Sequence, residues 1–198
     1  VNISDEALMA QVREGDLRRL AILFERHHRA LYNFFVHMNG DPDLSEDLVQ
    51  DVFFRILRYR ASYDEQRPFS AWMYQIARNV NVDNARKRRG ELQLVTEADE
   101  DDERTAREPV SMAPDAEQAA RRRQEVRLLK KALERLPEDK REILILSRFQ
   151  NLKYEEIASI LGCEVGAVKV RVYRATRALG EIYFELAGER TGRGARLT

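Results

Sequence analysis

Gly162, set between two short runs of helical apolar periodicity, constrains this chain more than any other residue. Before it, Ile157, Ala158 and Leu161 share one face of a short helix. Gly162 then supplies a tight turn in which a positive φ is cheap only for glycine. After it, Val168, Val172, Ala175 and Leu179 recur at helical spacing and predict a buried stripe. Residues 154–179, YEEIASILGCEVGAVKVRVYRATRAL, therefore predict a helix-turn-helix. A second face of the later helix carries Ala167, Val170, Arg171 and Arg174, at i, i+3, i+4 and i+7. Small side chains beside arginines suit entry into a major groove, because bulk would block the approach while arginine reaches phosphates and guanine edges. Two amphipathic helices joined by a glycine also occur in ordinary helical cores, so the remainder of the chain has to decide.

Charge is segregated along the chain. The formal net charge is zero, from 34 basic and 34 acidic residues. Residues 1–95 hold 14 of each sign, residues 96–118 hold nine acids against two arginines, and residues 119–198 hold 18 bases against 11 acids. A basic C-terminal part behind an acidic tether fits a nucleic-acid reader. Only 14 of the 198 residues are Gly or Pro, which predicts a largely helical chain with room for two small domains. Cys163 is the single cysteine; this excludes a disulfide framework and a cysteine metal cluster, and a small buried hydrophobe is the expected role. His27 and His28 point about 100° apart on a helix and cannot share a metal well, so they and His37 are read as structural, with no metal and no cofactor. No apolar run approaches 18 residues and no signal-peptide pattern is visible, so a soluble, cytoplasmic protein is expected.

Taken in order, residues 4–15 predict a short helix stopped by Gly15, and Asp16 is expected to cap a second that ends near Gly40. After Pro42, Ser45 is the expected cap of a third helix with a core stripe of Leu48, Val49, Val52, Phe53, Ile56 and Leu57. Its other face shows Glu46, Asp47, Gln50, Asp51 and Phe54; an exposed Phe54 among acids hints at a partner. A polar loop, residues 61–68, leads into a helix whose Trp72, Met73, Ile76, Ala77 and Val80 face inward. Arg78, Asn79, Asn81, Asp83, Asn84, Arg86, Lys87, Arg88 and Arg89 are expected mostly outward, and Gly90 is the expected end. Aromatics (Tyr63, Phe69, Trp72, Tyr74) interleaved with amides and cations suit single-strand capture, although Trp72 reads better as core. Residues 93–119 predict a flexible acidic linker. Val126, Leu129, Leu133 and Leu136 then stripe a helix, Pro137 opens another, and Asn151 is a plausible left-handed stop. The fold class is all-α: helical domains over 1–92 and 120–187, the latter containing the helix-turn-helix, and a disordered tail over 188–198.

Two stretches in this order resemble one family. SEDLVQDVFFRILRYRASYDEQRPFSAWMYQIARNVNVDNARKRR and LPEDKREILILSRFQNLKYEEIASILGCEVGAVKVRVYRATRAL are similar to the two promoter-reading regions of bacterial extracytoplasmic-function (ECF) sigma factors. The resemblance implies that Glu46, Asp47, Gln50, Asp51 and Phe54 dock on core RNA polymerase. It implies that Tyr63, Asp64, Gln66, Arg67, Phe69 and Ser70 form a pocket for a base flipped from the melted minus-ten strand. Arg78, Asn79, Asp83, Arg86, Lys87 and Arg88 would hold neighbouring minus-ten DNA. Ala167, Lys169, Val170, Arg171, Arg174 and Arg177 would face the minus-thirty-five duplex. An anti-sigma factor, often membrane-anchored and wrapped between the domains, is the implied inhibitor, and no catalysis is implied. Many members carry Thr and Ser where this chain has Ala167 and Val170, and the loop tip 64–67 lacks the glycine often found there. The base sequence read is therefore not carried over.

The competing reading is a stand-alone helix-turn-helix regulator, which requires a phosphoacceptor or ligand domain that the N-terminal half does not show. A metal-dependent nuclease built on His27, His28 and nearby acids lacks ligand spacing.

Overall fold

The computed structural model describes residues 3–94 and 116–194, and every regular element among them is helical. The expected linker falls mainly on residues 95–115, outside the described residues. Helix α1, Asp5–Glu14, starts at Ser4, whose hydroxyl accepts from the Ala7 N–H at 3.2 Å. It ends at Gly15, whose φ of 111° lets the Gly15 and Asp16 N–H groups close on Val12 and Gln11 carbonyls. Helix α2, Arg18–Asn39, is not capped by Asp16 as expected; its cap position is Leu17, and Asp16 instead pairs with Arg18 and Arg19. Gly40, with φ 73°, ends it.

Helix α3, Pro42–Arg58, begins a turn earlier than expected. Asp41 is the cap, accepting from Leu44 N–H at 3.1 Å, and Pro42 occupies the first turn, where its missing N–H costs nothing. Ser45 lies inside the helix, buried, its hydroxyl turned back to the Asp41 carbonyl at 2.5 Å. Helix α4, Phe69–Leu94, passes through Gly90 instead of stopping there.

The second half opens with α5, Ala116–Arg135, inside the range expected to be linker. Its stripe is rotated from the expected one. Leu128, Ala132, Leu133 and Leu136 are buried, whereas Val126 and Leu129 are 55% and 38% exposed. The rotation follows from its partners: the outer half of α5 has the end of α8 to pack on, through Leu128 and Ala132 against Leu186. Pro137 caps α6, Glu138–Leu144, which runs into a π-helical turn over Ile145–Phe149. Asn151, at φ 54°, is the expected left-handed stop.

Helix α7, Tyr154–Leu161, and helix α8, Val165–Gly194, form the helix-turn-helix around Gly162 at φ 62°. Lys153 offers no side-chain cap; the Glu156 carboxylate accepts the Lys153 N–H at 2.9 Å and substitutes for it. Ile157, Ala158, Val168, Val172 and Ala175 are buried together. Helix α8 continues to Gly194, so most of the expected tail is helical.

Helices α1–α4 and α5–α8 are not separate beads. One continuous hydrophobic cluster runs through both sets, with α4 lying against α7 and the C-terminal end of α2 against the π-helical turn.

The turn gives a first testable outcome. Gly162→Ala forces a Cβ into the left-handed region and is expected to cost about 1–2 kcal/mol. Gly180→Ala lies inside α8 with nothing near an added Cβ, and should gain about 1 kcal/mol. Urea unfolding of both variants beside the parent checks the pair of opposite signs.

Candidate nucleic-acid interface

On α8 the core stripe fixes what faces out. With Val168, Val172 and Ala175 turned inward, Lys169, Val170, Arg171 and Arg174 are left exposed and Ala167 half-buried. Val170 is 48% exposed, an apolar side chain set among the cations of this face. Lys169, Arg171 and Arg174 make no ion pair with a described residue, whereas Arg177 is bonded to Glu181 at 3.2 Å. Tyr173 is also exposed on this side, a position the sequence reading passed over. Nothing from α1–α4 lies across this face to the extent that it does across α7.

The minus-ten set divides in three. Tyr63 and Phe69, expected to meet a flipped base, are 2% and 0% exposed and belong to the core. They pack with Trp72 and His27, and the Tyr63 hydroxyl donates to the Arg67 carbonyl at 2.9 Å. Burial, reinforced by nearby Glu6 and Glu65, raises the Tyr63 phenol well above its usual range, so it stays a neutral donor. They are corrected from base contacts to the anchor of the loop. The loop is held further by Arg13, which bonds Glu65 and the Tyr63 carbonyl, and by Glu6, which accepts the Phe69 N–H at 3.1 Å. Asp64, Gln66 and Arg67 stay exposed at its tip, where the Asp64 carboxylate accepts the Gln66 N–H.

A second group remains open on α4. Asn79, Asp83, Arg86, Lys87 and Arg88 are exposed, with Asp83 bonded to Arg55 at 2.7 Å.

The third group is engaged. Ser70, Tyr74, Arg78 and Asn81 form one stripe along α4, and each bonds the C-terminal half. Ser70 donates to Glu156 at 2.8 Å and Tyr74 to Gln150 at 2.8 Å. Arg78 Nε meets both oxygens of Glu142 at 3.0 and 3.1 Å, and Asn81 donates to Glu138 at 3.1 Å. Asn81, expected outward, is 5% exposed and also accepts from Asn39. Gln150, Glu142 and Glu156 were not singled out in the sequence, where Tyr74 reads as a base-stacking candidate. Glu142 left one legible trace, a charge directly before the apolar run Ile143–Leu146. Its carboxyl is raised above the usual value by burial, which outweighs the opposing pull of Arg78; Glu138 and Asp139 add to the rise.

The remaining face is on α3. Glu46, Asp47, Gln50, Asp51 and Phe54 are all exposed, Phe54 by 63%. Beside them a mostly apolar groove of about 310 Å³ opens between α2 and α3, lined by Phe24, Tyr32, Glu46, Val49 and Gln50. The histidines are used locally. His27 bonds Asp5, while His28 and His37 bond carbonyls one turn back in α2. No cluster of three or more metal-ligating side chains occurs among the described residues, and none of their helices is long and apolar enough to cross a membrane.

An uncovered basic face on a helix-turn-helix, carried beside a helical bundle with an amide- and arginine-bearing helix, defines a two-domain helical DNA-binding protein. The family descriptions are specific: Sigma-70 region 2 matches residues 23–91, and Sigma-70, region 4 matches residues 127–179. The chain is 32% identical to the RNA polymerase sigma factor CarQ of Myxococcus xanthus, covering 90% of this chain and 97% of that one. It is 32% identical to the ECF RNA polymerase sigma factor EcfG of Rhodopseudomonas palustris, over 78% of this chain and 80% of that one. Among solved structures, the sigma factor RpoE of Bartonella quintana, in complex with the anti-sigma factor NepR, superposes with a TM-score of 0.61. The match has 29% identity and covers 82% of this chain and 94% of that one. The chain belongs to the ECF RNA polymerase sigma factors: it is an alternative sigma factor, a subunit that binds core RNA polymerase and promoter DNA.

The Glu142 environment gives a pH signature. Its folded-state pKa lies above the unfolded value near 4.5, so the folded chain holds the proton longer. Stability from this group is full below that value and is lost as pH rises through the raised pKa. Glu142→Gln removes the titration. The stability of Glu142→Gln relative to the parent should therefore grow as pH rises from about 4 and then level off. Urea unfolding across pH 4–8 measures it; a constant difference would refute the assignment.

Proposed function

We propose that α8 reads the minus-thirty-five duplex through Ala167, Lys169, Val170, Arg171 and Arg174, with Arg177 at the phosphates once released from Glu181. The uncovered, unpaired basic face of α8 is the observation that carries this reading. Arginines deliver hydrogen bonds to guanine edges, and the apolar Val170 and Ala167 suit the C5-methyl group of thymine. In the N-terminal domain, Asn79, Asp83, Arg86, Lys87 and Arg88 hold the melted minus-ten strand, joined by the loop tip Asp64, Gln66 and Arg67. Ser70 and Arg78 join them when freed from their carboxylate partners. Flipping a base costs a few kcal/mol of unstacking, which these contacts must offset. The acidic α3 face, with Phe54 beside an apolar groove, docks on core polymerase. The chain contributes binding and strand selection but no catalysis, and works in the cytoplasm. By analogy with RpoE and NepR, an anti-sigma protein restrains it.

Run-off transcription with purified core polymerase on the host's promoter fragments tests the whole reading, and discrete new start sites are expected. On the minus-thirty-five element so identified, Arg171→Ala or Arg174→Ala should weaken duplex binding by about 1–3 kcal/mol, the value of a bidentate guanine contact. Replacing the contacted thymine by deoxyuridine should weaken the parent chain but leave Val170→Ser unaffected. Equal losses in both would remove Val170 from the groove.

A further inference from the structure

Resting on the strand reading above, we infer that Glu6 and Arg13 of α1 are positioning residues for minus-ten capture. They hold the loop over 63–69 in the shape in which Asp64, Gln66 and Arg67 meet a base. Glu6, Met9 and Arg13 stand at i, i+3 and i+7, so they share one face of α1. Met9 is fully buried and turns that face toward the domain. The two charged residues then reach opposite ends of one loop, from 50 to 63 positions away in sequence. Arg13 works as a fork. Its Nη1 donates to the Tyr63 carbonyl at 3.4 Å and its Nη2 to the Glu65 carboxylate, so one planar guanidinium brackets Asp64 on both sides. Glu6 acts at the other end. Helix α4 begins after Pro68, whose side chain accepts no hydrogen bond, and the Glu6 carboxylate takes the Phe69 N–H at 3.1 Å instead. A carboxylate there also meets the positive end of the α4 dipole.

Helix α1 is itself anchored. Leu8 and Val12 are fully buried beside Met9, and Asp5 meets Arg26 and His27 of α2 at 2.6 Å each. Arg26 also bonds the Ile3 carbonyl at 2.8 Å. The loop's own bonds are short-range: the Asp64 carboxylate accepts the Gln66 N–H at 3.0 Å, and the Tyr63 hydroxyl donates to the Arg67 carbonyl at 2.9 Å. Such bonds shape a turn without placing it relative to Asn79 and Arg86 on α4, which carry the rest of the proposed strand path. Burial of Tyr63 and Phe69 secures the ends, and Arg13 sets the course of the segment between them. The Arg13–Glu65 pair is partly exposed, 36% and 47%, so it adds little to overall stability. Its effect on capture is separate. A loop already held in its binding shape avoids the entropic cost of ordering when the base arrives.

Binding of a short fluorescein-labelled non-template oligonucleotide by holoenzyme, assembled from core polymerase and the full chain, tests the inference. The oligonucleotide carries the minus-ten element mapped by run-off, either intact or with an abasic site at each position in turn. The position whose loss weakens the parent most marks the captured base. Arg13→Ala and Glu6→Ala should each weaken binding of the intact strand about tenfold, with a smaller change on the strand abasic at that position. Core affinity and helical circular dichroism should be retained. Glu6→Gln keeps an acceptor for the Phe69 N–H and should stay near the parent. Arg13→Lys, a point charge that cannot bracket Asp64, should fall between the parent and Arg13→Ala. Parent-like binding by both alanine variants, or a loss as large on the abasic strand as on the intact one, would overturn the inference. A parent that binds the intact and every abasic strand alike overturns the strand reading of the loop itself, and the inference with it.

Discussion

Helix ends present carbonyls without partners, and burying two such ends at one place demands a hydrogen-bond donor. Arg141 answers that demand. One of its terminal nitrogens bonds the Met38 carbonyl at the end of α2, and the other bonds the Glu134 and Leu136 carbonyls at the end of α5. The guanidinium thus sits where two helix dipoles point their negative ends, one from each half of the chain. Without it, the carbonyls at the ends of α2 and α5 would lose a shared donor where the two helices meet. The satisfaction is incomplete, since Arg141 Nε is buried without a partner.

Local features were legible in the sequence because their physics is local. Ser4, Gly15, Gly40, Asn151 and Gly162 act through backbone angles and caps within a few residues, and each stands where pattern reading puts it. The helix-turn-helix and its outward basic face follow from a single stripe of Val168, Val172 and Ala175. Caps with two candidates were less legible: Asp41 and Ser45 are both competent, and Pro42 settled the choice by favouring the first turn. Contacts between distant segments were not legible. Asn81 lies between two valines in a run of amides and cations, and nothing nearby announces that Glu138 will meet it. Tyr63 and Phe69 misled for a related reason. Aromatics beside amides fit base stacking and loop anchoring equally, and only the position of α1, through Glu6 and Arg13, decides for anchoring.

The polar pairs between the halves fix geometry more than they supply energy. Glu142 is 8% exposed and doubly bonded to Arg78, yet burial still disfavours its charge. Removing a carboxylate from water costs several kcal/mol, which one partly exposed arginine does not fully return. Such a pair specifies which surfaces meet more than it holds them together. Register is fixed by four directional bonds, while the continuous apolar cluster supplies the adhesion between the halves.

Helices α4 and α8 differ in what the packing of the halves leaves exposed. Helix α8 keeps its outward face bare, its inward stripe being packed on α6 and α7. Helix α4 has no such economy. Its core face is turned to α3, and a second stripe one-quarter turn away bears Ser70, Tyr74, Arg78 and Asn81, polar groups able to bond either carboxylates or nucleic acid. Under the proposed assignments α8 can meet a duplex without rearrangement, whereas Ser70 and Arg78 must first leave their carboxylate partners.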